Sequence, residues 1–124
     1  MATTLLAGKS AAITGGVTGI GRAIALEYLR QGASVAINYF PDEKSEEQYK
    51  SLVAEAPDNA KNQVIGVPGD IRQQEAGVKL VQAAVQSFGK LDIFVSNAGV
   101  CQFAEFLEFV FLLLQPQGSM LIIE

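Results

Sequence analysis

A glycine-rich stretch near the start of the chain constrains the fold more than any other feature. It reads TGGVTGIG at residues 14–21, between an apolar run and a segment whose apolar residues are spaced three and four apart. Glycines permit the positive φ of a tight turn and let backbone amides at a helix N-terminus approach a diphosphate. The spacing is Gly-x-x-x-Gly-x-Gly, which differs from the usual fingerprint Gly-x-Gly-x-x-Gly. The structural alternative is a sharp strand-to-helix turn that binds nothing.

The rest of the chain alternates short β-branched runs with longer stretches of helical spacing, which is typical of βαβ units around a parallel sheet. We predict strands at 10–14, 34–38, 63–67 and 91–96, and helices at 20–31, 42–56 and 73–88. Gly32 and Gly89 stand where left-handed helix caps belong. The stripe Val78, Val81, Val85 and Phe88 predicts the core side of the last helix.

The predicted fold class is α/β, a Rossmann-like doubly wound parallel sheet of which this chain supplies an incomplete, amino-terminal βαβαβαβ portion. From residue 103 onward the alternation fails, because aromatic residues and leucines follow one another without a strand or helix period. Residues 120–123 could form one more strand. We therefore expect a dinucleotide-binding portion at 1–108 and an atypical hydrophobic tail at 109–124.

Composition excludes several functions. A formal net charge of -4 gives no basic field for phosphate backbones, so no nucleic-acid partner is expected. The chain has no histidine, which removes Ser-His-Asp catalysis and imidazole metal sites. The lone Cys101 can form neither an internal disulfide nor a thiolate cluster, so no metal site is expected. Without a secretory signal or a membrane-length apolar run, we expect a soluble cytoplasmic protein with no membrane partner.

Three motifs, in the right order, resemble those of the short-chain dehydrogenase/reductase family. They are TGGVTGIG at 14–21, GDI at 69–71 and NAG at 97–99. The resemblance covers roughly residues 5–108, and 95–108 further resembles a sugar-oxidising branch of the family. It implies a dinucleotide cofactor, NAD or NADP, and a parent reaction in which hydride passes between that cofactor and a sugar or polyol carbinol.

The same resemblance implies a set of cofactor-binding residues. These are Gly15, Thr18, Gly19, Ile20 and Gly21 at the pyrophosphate, Asp70 and Ile71 at the adenine, and Asn97, Ala98 and Gly99 on the ribose side. Two of them have structural alternatives. Asp70 could instead cap a turn or helix, and Asn97 could be a hydrogen-bonding residue at a strand end.

Cofactor preference depends on the end of the second strand, where a carboxylate accepts from the ribose hydroxyls and repels a 2′-phosphate. That position reads Asn38-Tyr39-Phe40, so no acid occupies it, and Asn38 or Tyr39 could hydrogen-bond either cofactor. Arg22 follows the last glycine, but a place on the helix surface explains it equally well. These residues predict dual or NADP-leaning use.

The catalytic residues that the resemblance implies are missing from this chain. Family chemistry uses a serine and a Tyr-x-x-x-Lys pair, in which the lysine lowers the pKa of the tyrosine so that it acts as a base. Four residues after Tyr28, Tyr39 and Tyr49 stand glycine, glutamate and valine. We therefore expect negligible catalysis by this chain alone. The open alternative is a non-catalytic short form that binds nucleotide or pairs with a copy of itself or a longer subunit.

Overall fold

The computed structural model describes residues 4–98 and, for the backbone alone, residues 121–123. Strands and helices alternate as the sequence predicts. The strands are β1 (Ser10–Ile13), β2 (Ser34–Tyr39), β3 (Val64–Pro68), β4 (Ile93–Val95) and β5 (Leu121–Ile123). The helices are α1 (Gly19–Arg30), α2 (Glu43–Glu55), α3 (Gln74–Phe88) and a short 3₁₀ helix (Asp58–Gln63).

These strands form one parallel sheet in the order β3-β2-β1-β4-β5. In its register Ala11 lies between Val35 on β2 and Ile93 on β4. The order is the one expected for a doubly wound dinucleotide-binding sheet, so the predicted fold class is confirmed. Because the strands are parallel, the carboxyl ends of β1 to β4 meet at one edge, where open sheets of this kind bind ligands.

Helices cover both faces of the sheet. On one face α1 and α2 bury Leu29 and Leu52 in a cluster with Ile37. On the other face α3 buries Leu80 in a separate cluster with Phe94. Burying a side chain of this size stabilises the fold by about 2 kcal/mol, so the two clusters together fix the helices on the sheet.

The core side predicted for α3 is wrong in part. Val81 is buried as predicted, whereas Val78, Val85 and Phe88 are half-buried, and of these Val85 and Phe88 pack against the buried cluster. The buried face consists of Ala76, Gly77, Leu80, Val81 and Ala84. Mostly small residues on this face let the helix backbone lie close to the sheet, which a search for large apolar side chains overlooks.

The element boundaries differ from prediction at β3. The 3₁₀ helix was not predicted, and it extends through Gln63, so the strand begins one residue later, at Val64. Both predicted left-handed glycines are found, with φ of 93° at Gly32 and 83° at Gly89. The strand Leu121–Ile123 lies beside β4, within the segment 120–123 for which the sequence suggested a strand.

Candidate functional site

The glycine loop joins β1 to α1 at the carboxyl edge of the sheet. Its tip, formed by Thr18, Gly19 and Ile20, is exposed, and the Ile20 side chain is 74% exposed. Thr18 is the N-cap residue of α1, yet its side chain makes no capping hydrogen bond, and the first turn carries no acid. The positive end of this helix therefore faces the edge without a carboxylate of its own near it.

The three glycines of the motif differ in what surrounds them. Gly15 and Gly19 have positive φ, 63° and 57°, which side chains rarely adopt. A Cβ at Gly19 would meet nothing within 4 Å, so the space in front of the loop is open there. A Cβ at Gly21 would collide with the carbonyl oxygen of Gly15 and lie 2.5 Å from Asn97 Nδ2. Gly19 therefore leaves room in front of the loop, whereas Gly21 lets α1 pack under it.

A network of partly buried hydrogen bonds holds the base of the loop. Thr14, fully buried, accepts from the backbone amides of Asn97 at 2.9 Å and Ala98 at 3.0 Å through Oγ1. Asn97 Nδ2 donates to the Gly15 carbonyl at 3.1 Å. Sequence reasoning missed Thr14 as a site residue, although its place before the first glycine was a usable signal. Asn97 therefore hydrogen-bonds the glycine loop just after β4, as its structural alternative predicts.

Asn38 connects the second motif to the glycine loop. Its side-chain amide donates to the carbonyls of Val67 at 3.4 Å and Gly69 at 3.0 Å, and the side chain is buried. The main-chain carbonyl of Asn38 accepts a hydrogen bond from Gly16 N at 3.1 Å. The structure therefore brings the three motifs together, but it engages Asn38 within the protein.

Tyr39 is also engaged. It is 3% exposed, its hydroxyl donates to Glu46 Oε2 at 2.8 Å, and its ring stacks on Tyr49 with centroids 5.2 Å apart. Gly66 leaves the room for this stack, since a Cβ there would lie 2.8 Å from the Tyr49 ring. Burial, together with the bond to Glu46, raises the pKa of the Tyr39 hydroxyl well above its usual range, so it remains a donor.

Asp70 shapes the turn that follows β3. Its Oδ1 accepts from Arg72 N at 3.0 Å, and its carboxylate pairs with the Arg72 guanidinium at 2.8 Å. These Arg72 contacts hold the pKa of Asp70 below its ordinary value. The turn role weighed for Asp70 is therefore present in the structure. The neighbouring Ile71 is half-buried against the α3-side cluster.

Arg22 ties α1 to α2. Its Nη1 donates to the carbonyls of Val17 at 3.2 Å and Gln48 at 3.0 Å, and its Nη2 contacts Ser51 Oγ at 3.2 Å and Glu55 Oε2 at 2.7 Å. The expected place on the helix surface is therefore also a helix-to-helix junction, built from a single guanidinium.

Some expectations concern residues beyond this description. Gly99 and Cys101 lie outside the described residues. Within the described part, no group of three acidic, cysteine or histidine side chains is placed to hold a metal ion. Of the helices in residues 4–98, none has both the length and the apolar character to span a bilayer.

Comparison with known proteins identifies related dehydrogenases. The profile of the family described as short chain dehydrogenase matches residues 9–111. The chain is 54% identical over 106 residues to L-rhamnose-1-dehydrogenase of Scheffersomyces stipitis, covering 86% of this chain and 41% of the relative. It is 43% identical over 104 residues to L-rhamnose 1-dehydrogenase (NAD(P)(+)) of a Sphingomonas species, covering 84% and 39%. The resemblance to a sugar-oxidising branch is therefore confirmed.

Solved structures agree. A short chain dehydrogenase from Burkholderia cenocepacia, in complex with NADP, superposes with a TM-score of 0.69 at 38% identity, over 79% of this chain and 38% of its own. Apo glucose dehydrogenase of Caenorhabditis elegans gives 0.65 at 34% identity, over 77% and 40%. The chain spans about two fifths of the length of these relatives. The chain belongs to the short-chain dehydrogenase/reductase family and corresponds to an NAD(P)-binding portion of its members.

Proposed function

We propose that the glycine loop binds the pyrophosphate of NAD(P). The observation that carries the proposal is the open end of α1, where Thr18 makes no side-chain cap and Gly19 faces empty space at φ 57°. Free backbone amides and the helix dipole favour a diphosphate at such a place. Gly15, Thr18, Ile20 and Gly21 complete the loop.

The other cofactor-binding residues are proposed in two groups. We assign Asp70 and Ile71 to the adenine, and Asn97, Ala98 and Gly99 to the ribose side. Asn38 and Tyr39 are the remaining candidates for cofactor binding, and their side chains are already hydrogen-bonded within the protein. The bare end of β2 predicts dual or NADP-leaning use, whereas the carboxylates at the start of α2 favour NAD.

For the longer parent protein we propose hydride transfer between NAD(P) and a sugar or polyol, supported by the relatives named for L-rhamnose. This chain holds no Tyr-x-x-x-Lys pair, which supports negligible turnover by residues 1–124 alone. That same observation favours a second candidate, a non-catalytic form that binds nucleotide or pairs with its own kind or a longer subunit. We further propose a cytoplasmic location, an NAD(P)-binding portion at 1–108 and a distinct tail at 109–124.

The test of nucleotide binding is calorimetry of the 124-residue chain with NAD⁺ and NADP⁺, using Gly19→Val and Gly89→Val as a matched pair. Both glycines have positive φ, 57° and 83°, and open space around a Cβ, so both substitutions strain the backbone alike. We expect Gly19→Val to weaken binding by at least about tenfold because its side chain fills the diphosphate position. Gly89→Val, at the far end of α3, should leave affinity unchanged.

If a folded Gly19→Val variant binds NAD⁺ and NADP⁺ as tightly as the unmodified 124-residue chain does, the proposed diphosphate site is wrong. The two candidate functions are separated by turnover: NAD(P)H absorbance is followed with L-rhamnose and other aldoses. Measurable turnover by this chain contradicts the non-catalytic expectation. Co-purification with a longer family member supports the pairing form.

A further inference from the structure

The end of β2 is where a dinucleotide fold distinguishes a ribose hydroxyl from a 2′-phosphate. Tyr39 occupies the last position of this strand, and its buried hydroxyl donates to Glu46 Oε2 at 2.8 Å. Glu46 lies in the first turn of α2. The strand itself carries no acid, but its last side chain holds a carboxylate that a neighbouring helix supplies.

The amino end of α2 is already filled with negative charge. Asp42 Oδ1 accepts from Ser45 N at 2.8 Å, so this backbone amide is not free to bind a phosphate. Residues 42–46 include Asp42, Glu43 and Glu46 against the single cation Lys44. Lys44 lies close enough to Asp42 to help lower the pKa of that carboxyl, after the hydrogen bonds from Ser45.

Two arginines near this edge, Arg22 and Arg72, are engaged with other groups of the protein, which leaves Lys44 as the one cation among residues 42–46. Arg22 contacts four acceptors, among them Gln48 O and Glu55 Oε2. Arg72 pairs with Asp70 at 2.8 Å. A 2′-phosphate at the end of β2 would therefore meet carboxylates without a free guanidinium among these groups, and like charges at a binding interface are strongly unfavourable.

We propose that the Glu46 carboxylate, held beside the end of β2 by the Tyr39 hydroxyl, makes this site bind NAD in preference to NADP. This inference rests on the proposed function, since it deepens the specificity of the same cofactor site. It reverses the dual or NADP-leaning preference that the bare strand end predicts, because the carboxylate comes from α2 and not from the strand.

The experiment measures dissociation constants of NAD⁺ and NADP⁺ for the full chain by calorimetry. We expect NAD⁺ to bind at least about tenfold more tightly. Glu46→Gln keeps an acceptor for the Tyr39 hydroxyl and removes the charge, so the preference should narrow about fivefold through tighter NADP⁺ binding. Glu47→Gln removes the same charge from an exposed neighbour on α2 and serves as the control, which should leave the ratio within about twofold.

Raising the salt concentration tests the same repulsion without a variant. Because salt screens the charges, it should narrow the preference of the unmodified chain for NAD⁺ over NADP⁺. Equal or tighter binding of NADP⁺ overturns the inference while leaving the proposed diphosphate site intact. An equal effect of Glu46→Gln and Glu47→Gln also overturns it, because net charge would then explain the preference. Failure of both nucleotides to bind overturns the proposed function and this inference together.

Discussion

Two helices begin at the same edge of the sheet, and their first turns are built in opposite ways. The first turn of α1 has no acid and no side-chain cap, and its tip is exposed. The first turn of α2 is capped by Asp42 and carries Glu43 and Glu46. The difference separates the N-terminus that we propose for an anion from one where a carboxylate of the protein itself already satisfies an amide and the helix dipole.

The largest effect on stability should come from breaking the Thr14 hydrogen-bond network at the base of the glycine loop. Thr14→Val keeps the shape of the side chain but leaves the partly buried amides of Asn97 and Ala98 without this acceptor. We expect unfolding free energy to fall by about 3 kcal/mol, measured by urea denaturation, with nucleotide binding lost as well. Thr14→Ser retains the acceptor and should cost much less. A Thr14→Val chain as stable as the unmodified 124-residue chain would contradict the role of this hydrogen-bond network.

The next effect concerns how α1 packs beneath its loop. Gly21→Ala places a Cβ against the Gly15 carbonyl and 2.5 Å from Asn97 Nδ2, so backbone has to move. We expect a loss of about 2 kcal/mol in unfolding free energy. Gly19→Ala meets nothing within 4 Å and should cost only about 1 kcal/mol, from its positive φ. Equal costs for the two variants would show that steric contact does not separate these glycines.

Removing the cap side chains compares the two first turns directly. Asp42→Ala should lower the unfolding free energy by about 1 kcal/mol, because Ser45 N loses its acceptor. Thr18→Ala should change it by less than about 0.5 kcal/mol, since the Thr18 side chain makes no capping bond. Thermal denaturation of both variants beside the parent chain measures this difference. A larger cost at Thr18 than at Asp42 would reverse the comparison.

The smallest effect is the pH dependence of the α2 cap. Hydrogen bonds from Ser45 lower the pKa of Asp42 in the folded chain. A lowered folded pKa means that this stabilisation is fully present above the unfolded value of about 4 and is lost as pH falls through the folded pKa. Asp42→Asn caps without titrating, so its stability relative to the parent should rise only below about pH 4. A constant difference across that range would contradict the assignment.

Sequence reasoning succeeded where local chemistry decides. Alternating β-branched and helical segments predicted the parallel sheet, and Gly89 predicted a left-handed cap that the structure contains. It failed where contacts join distant segments. The Tyr39 to Glu46 bond depends on how α2 packs against β2, and the two amides on Thr14 come from residues more than eighty positions away. The buried face of α3 was misjudged because small residues, Ala76, Gly77 and Ala84, share it with Leu80 and Val81.

The contacts of Arg22 have a consequence for how tightly a nucleotide could bind. Its guanidinium joins Val17 in the glycine loop to Gln48 and Glu55 on α2 without any ligand bound. A loop that is already rigid loses little conformational entropy on association, so more of the contact free energy appears as affinity. Loosening this fastening should therefore weaken nucleotide binding even though Arg22 itself need not touch the nucleotide.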